Sequence, residues 1–281
     1  MNASLSVRTL ASIVAGAGLM ISGCSEPAND VAANDVIEQS SPAARRPRDM
    51  SMPRDLSMAS QDMSMSSANP CGSTGSPPAH YQHVVIFSFE NRTWSNVGLG
   101  FSASTMPYLH SLASQCSYFS DWTETNSAQN SLTQYIGETS GVSNTSTVND
   151  CSPGPSCQST DDNIFRQVRV AGGTARSYVE GATTGCSASG NAAKHIPALY
   201  YFGTYSDGTG SHNDHDFCNT EVRPYSEFDV NNLPTYAFIT PTLCNDGHDC
   251  NDATVDAWAS TNIQRVLDSA AYKAGTVGVF V

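Results

Sequence analysis

Residues His83 to Phe89 read HVVIFSF, an unbroken apolar and β-rich run with no polar alternation. A strand of this kind is buried on both faces, so it belongs inside a parallel sheet covered by helices on either side. Thr276 to Val281 (TVGVFV) repeats the pattern, and Ala175 to Glu180 and Thr235 to Thr240 read as further strands. Between them lie segments of helical spacing: Met106 to Cys116, Ser131 to Thr139, Asn163 to Ala171 and, most clearly amphipathic, Val255 to Ser269. Strands alternating with helices predict an α/β sandwich around a mostly parallel sheet. In such sheets the chemistry sits at the carboxyl ends of the strands.

The start of the chain carries different information. Met1 to Arg8 holds one positive charge, Thr9 to Ile21 is apolar or small, and the stretch closes on Ser22-Gly23-Cys24. An apolar run this short behind a basic start predicts a signal peptide over residues 1–23 rather than a spanning helix. Cys24 is then the lipid-bearing first residue of the mature protein, and residues 24–70, rich in Ser, Ala, Pro and Asp, form a disordered tether. The expectation is an exported protein, held by lipid at the bacterial cell envelope, on its periplasmic side or at the cell surface. Residues 71–281 are expected to form one domain.

Cysteine usage agrees with export. Of 9 cysteines, Cys24 apart, an even set remains, which favours disulfides over metal binding in an extracytoplasmic chain. Cys151 and Cys157, and Cys244 and Cys250, are close enough to be local staples. Cys71 with Cys116 and Cys186 with Cys218 complete the expected set, although sequence alone leaves the connectivity open. A net charge of −13 argues against a nucleic-acid partner, which calls for a basic stripe.

Four places carry candidate chemistry. Glu90-Asn91 follows the first buried strand and offers two oxygens to a hard cation. Asn126 to Gly141 (NSAQNSLTQYIGETSG) is rich in hydroxyls and enters a helix, whose N-terminus favours an attacking alkoxide and an incoming phosphate. Lys194-His195-Ile196-Pro197 and Pro241 to Cys250 (PTLCNDGHDC) supply histidines, the second in a loop that Cys244 and Cys250 can close.

In order, VVIFSFENRTW, MPYLHSLASQC, NSLTQYIGETSG, DDNIFRQ, RSYVEG, KHIPALYYF and FITPTLCNDGHDC resemble the bacterial phosphoesterases. That family contains the non-specific phospholipases C and related acid phosphatases, within the alkaline phosphatase superfamily. The resemblance implies an alkaline-phosphatase-like three-layer sandwich. It implies a phosphoric ester hydrolase acting through a phospho-serine, with one divalent metal ion. It assigns Glu90 and Asn91 to the metal, Ser131 to the nucleophile and metal, His195 to the phosphoryl group, and His248 and Asp249 to the active site. Gln129 stands where many relatives have His, and Ile196 where Asn is common.

The implied substrate is a phosphomonoester, as for acid phosphatases, with a phospholipid head group, as for phospholipases C, as the alternative. A non-catalytic surface-binding lipoprotein is the reading from another class. The family's last strand leads into an acidic pair that binds the metal. A chain ending at Val281 is therefore expected to be incomplete at the C-terminus and inactive. Should carboxylates within the chain complete the site instead, Asp246 and Asp249 are the first suspects.

Overall fold

A computed structural model describes residue 71 and residues 78–92, 105–119, 130–142, 150–181, 185–188 and 193–281. The signal peptide, Cys24, the tether and Gln129 lie outside the described residues.

Five strands form one sheet in the order β5-β2-β6-β1-β7, all parallel: β1 (His83–Phe87), β2 (Ala175–Val179), β5 (Val222–Pro224), β6 (Tyr236–Thr240) and β7 (Val277–Phe280). The continuous apolar run of β1 is explained by its place between β6 and β7. Val84, Val85 and Phe87 are buried, and every residue of β6 is buried beside them. The β7 strand was expected to be wholly buried; it pairs with β1 on one side only, and Phe280 and Val281 are exposed at its end. A short antiparallel hairpin, β3 (Thr204–Asp207) with β4 (Gly210–Asn213), stands apart from this sheet. Helices flank the sheet, giving the α/β architecture that the sequence pattern predicts.

The helices begin and end where local chemistry dictates. In α1 (Pro107–Gln115), Pro107 occupies the first turn, where its missing N–H costs nothing. The next two N–H groups, of Tyr108 and Leu109, donate to the buried carboxylate of Asp256 at 2.9 Å each. Asp256 belongs to α5 (Asp252–Leu267), so one side chain both caps α1 and fastens it to a second helix. Asn163 caps α3 (Ile164–Val170) and Asn251 caps α5 through their side-chain oxygens. The helix α2 (Ser131–Ser140) ends at Gly141, whose φ of 72° is the left-handed closing turn that glycine adopts without strain. The short α4 (Cys218–Glu221) and α6 (Ala270–Lys273) precede β5 and β7.

All four expected disulfides are formed: Cys71–Cys116, Cys151–Cys157, Cys186–Cys218 and Cys244–Cys250. They tie loops rather than sheet strands, which leaves the sheet to be held by apolar burial. A buried ion cluster adds a polar anchor: Arg166 and Arg169 of α3 both pair with Asp214, and Arg169 also pairs with Glu221.

Candidate active site

The loop after β1 and the loop after β6 leave the carboxyl edge of neighbouring strands, and they are locked together. The Glu90 N–H donates to the Asp246 carbonyl at 2.8 Å. Gly247 has φ 108°, and a Cβ there would lie 2.7 Å from the Glu90 carbonyl oxygen, so only glycine allows this approach. Arg92 clamps the same loops, donating from Nε to Asp252 at 2.6 Å and from Nη2 to the Cys250 carbonyl at 2.6 Å. The Cys244–Cys250 bond closes the second loop upon itself.

On this frame the Glu90 carboxylate is the meeting point. Its Oε1 lies 3.1 Å from His195 Nε2, and its Oε2 accepts from the Tyr135 hydroxyl at 3.2 Å. The Ser131 hydroxyl lies close enough to the same carboxylate to lower its pKa. Ser131 and Tyr135 are four residues apart in α2, hence on one face of that helix. The Tyr135 ring also meets the His195 ring edge-on, with centroids 5.6 Å apart. Burial raises the Glu90 pKa, but hydrogen bonds from His195 and Ser131 and the nearby His195 and His248 outweigh it, so the net direction is down.

Asp246 behaves in the opposite way. It is fully buried, and one oxygen accepts from the His248 N–H at 2.8 Å. The other oxygen, Oδ2, is buried with no hydrogen-bond partner. Burial first, and then the neighbouring Glu90 charge, push its pKa from the ordinary 3.8 up to about 6. Two carboxylates whose acidities are driven apart mark a functional site.

Donor atoms of Glu90, His195 and Asp246 all lie within 4.8 Å of one another. Two carboxylates and an imidazole are a donor set for a divalent first-row metal. The unpartnered Asp246 oxygen is the kind of atom that such an ion would satisfy. The residues therefore fit a bound cation.

The sequence-derived candidates fall into two groups. Ser131 and His195 both lie against the Glu90 carboxylate. Asn91 follows Glu90 as an exposed residue at φ 57°, with its carbonyl accepting from Arg92. His248 and Asp249 sit at the rim, their side chains paired at 2.8 Å and substantially exposed. Of the two suspected extra carboxylates, Asp246 lies in the cluster and Asp249 does not.

The chain belongs to the phosphoesterase family. The family profile matches residues 90–281, most of the chain. A phosphatidylinositol-3-phosphatase of Mycobacterium tuberculosis is 28% identical over 193 residues, which cover 65% of this chain. The aligned stretch spans 57% of that relative's length. No solved structure matches the chain.

Two residues around this cluster were not anticipated. Tyr135 is one; its signal was its position one helical turn after Ser131. Asp150 is the other: its carboxylate accepts from the Leu132 N–H at 3.0 Å and pairs with Lys194 at 3.3 Å. It thereby joins the start of α2 to the turn that carries His195. Nothing in the Asn149-Asp150-Cys151 stretch advertises that role.

Proposed function

We propose that this protein hydrolyses phosphomonoesters through a covalent phospho-serine at Ser131, in the manner of an acid phosphatase. The observation that carries the proposal is the convergence of Ser131, His195 and Tyr135 on Glu90, next to the unpartnered buried oxygen of Asp246.

Ser131 is the first residue of α2, where the helix dipole favours negative charge on its oxygen and on an arriving phosphate. Glu90, beside the Ser131 hydroxyl, is placed to orient it toward phosphorus. Tyr135 and His195 hold that carboxylate in place. A divalent ion held by Glu90, His195 and Asp246 would screen the phosphoryl charge and lower the pKa of the serine hydroxyl. Ser131 Oγ then forms a bond to phosphorus as the ester oxygen's bond breaks, its proton passing to the neighbouring Glu90 carboxylate, which returns it when the phospho-serine is hydrolysed. His248, its Nδ1 engaged by Asp249, has Nε2 left to give a proton to the departing oxygen. Water attack on the phospho-serine releases phosphate and restores the hydroxyl.

The name of the mycobacterial relative supports action on a phosphomonoester. The test is turnover of p-nitrophenyl phosphate with a series of divalent ions, followed by acid trapping and peptide mapping. The phosphate should be found on Ser131, and Ser131→Ala should remove turnover by several orders of magnitude. Unchanged turnover in Ser131→Ala, or phosphate on Thr133, would refute the proposed role.

A further inference from the structure

Beside the cluster, at the carboxyl ends of β2 and β6, lies a half-open cavity of about 250 Å³. Its walls are Val179, Gly181, Pro241, Thr242, Leu243 and Cys244, and it reaches His195. Cys244 brings no thiol, because it is bonded to Cys250. The one acidic residue in the wall is Glu180, and its oxygens are already engaged. Oε2 accepts from the Thr242 N–H at 3.0 Å and from Asn245 Nδ2 at 2.8 Å, and Oε1 accepts from Trp258 Nε1 at 3.1 Å. Among the described residues, the lining holds no Lys or Arg. His195, the remaining ionisable side chain there, is committed through Nε2 to Glu90.

We propose that this cavity receives the alcohol part of the substrate and selects esters of small phenols and alcohols that carry no further negative charge; the inference rests on the phosphomonoester reading above. In-line displacement sends the leaving oxygen away from the nucleophile. Ser131 meets Glu90 from α2, whereas the cavity opens on His195 from the β2 and β6 loops. An engineered apolar cavity of about 150 Å³ holds benzene, so one of this size takes a substituted ring but not a pair of acyl chains. An alcohol carrying further phosphates would find no counter-charge in these walls.

Phosphonates with a methylene in place of the ester oxygen separate binding from turnover. Calorimetry with Mn²⁺ present should show benzylphosphonate bound at least roughly 10-fold more tightly than ethylphosphonate, the discrimination an apolar pocket gives a group of this size. Leu243→Trp fills the cavity and should bring that ratio close to unity. Leu243→Ala widens it and should shift preference toward naphthylmethylphosphonate, which keeps the test decisive if the tryptophan variant folds poorly. Equal binding of the two phosphonates to the wild type, or a ratio that neither substitution moves, overturns the cavity assignment. Phenyl phosphate turnover, measured in parallel, isolates the other reading. Ring preference without turnover would sustain the cavity and refute the hydrolase. Turnover without ring preference would do the reverse.

Discussion

Asp246→Asn should make the metal-free protein more stable while abolishing its response to divalent ions. The Glu90 and Asp246 donor oxygens lie within 4.8 Å of each other. At an effective dielectric of about 20, two unit charges at that distance repel by about 3.5 kcal/mol. His195, bonded to Glu90, relieves part of this, so a gain of about 1–3 kcal/mol is expected from removing one charge. The amide can still accept from the His248 N–H, so the loop keeps its shape. The sign follows from acidity. The folded-state pKa of Asp246 is raised, to about 6, so its stabilising contribution is full at low pH. That contribution is lost as pH climbs from the ordinary 3.8 through about 6. Above that range the metal-free wild type carries the repulsion and the variant does not. A ligand at about 100 times its Kd stabilises the wild type by about 2.7 kcal/mol, or several degrees in Tm. Thermal melts with EDTA and with excess Mn²⁺, above and below the Asp246 pKa, measure both effects. If the variant melts lower than the wild type in EDTA and still rises fully with Mn²⁺, Asp246 is neither a repelling carboxylate nor a cation ligand, and the reasoning fails.

Three further outcomes follow from particular contacts. Replacing Cys244 and Cys250 by serine should lower kcat about 10-fold or more while costing less than about 3 kcal/mol of stability, because a loop this short contributes little chain entropy and mainly fixes His248; equal losses of folding and activity in chemical denaturation would contradict this. Asp256→Ala strips two buried N–H groups of α1 of their acceptor and should cost about 2–4 kcal/mol in urea unfolding with little change in KM; a cost within error of zero would show that water replaces the carboxylate. We also propose that Cys24 is the lipidation site, so Cys24→Ser should move the protein from the membrane fraction to the soluble fraction, and intact mass should show no acylated species.

The central strands and long helices were legible because burial dictates their composition. A parallel sheet covered on both faces hides Val84, Val85 and Phe87 together. What escaped was short or polar. β5 is three residues ending in Pro224, tolerated because β5 pairs only with β2, at the sheet edge. The β3–β4 hairpin exposes much of its surface, so it carries no apolar signal. The site was legible only in pieces. Periodicity cannot say that residues 90, 131 and 195 share a carboxylate; that juxtaposition is set by which strands are neighbours. Asp246 sat in an Asn-Asp-Gly stretch that reads as a turn, and its importance comes from the burial of one oxygen, which no local pattern encodes.

The charge balance at this site constrains the order of binding. Glu90 and Asp246 bring two negative charges together when both are ionised, and a phosphomonoester adds up to two more. The basic side chain beside His195, Lys194, is already paired with Asp150. The protein around them has a net charge of −13, so no long-range field draws an anion inward. Uncompensated charge of this density is prohibitive in a partly buried cleft, since each charge loses solvation as it enters. On the function proposed above, cation and phosphoester would bind with positive coupling, and linkage would make that coupling reciprocal. On that reading the same two carboxylates would repel a lone phosphate and hold the ion that admits it. Phosphate affinity would then be set less by basic residues than by how well Glu90 and Asp246 are held apart yet within reach of one ion, a spacing fixed by Gly247, Arg92 and the Cys244–Cys250 bond.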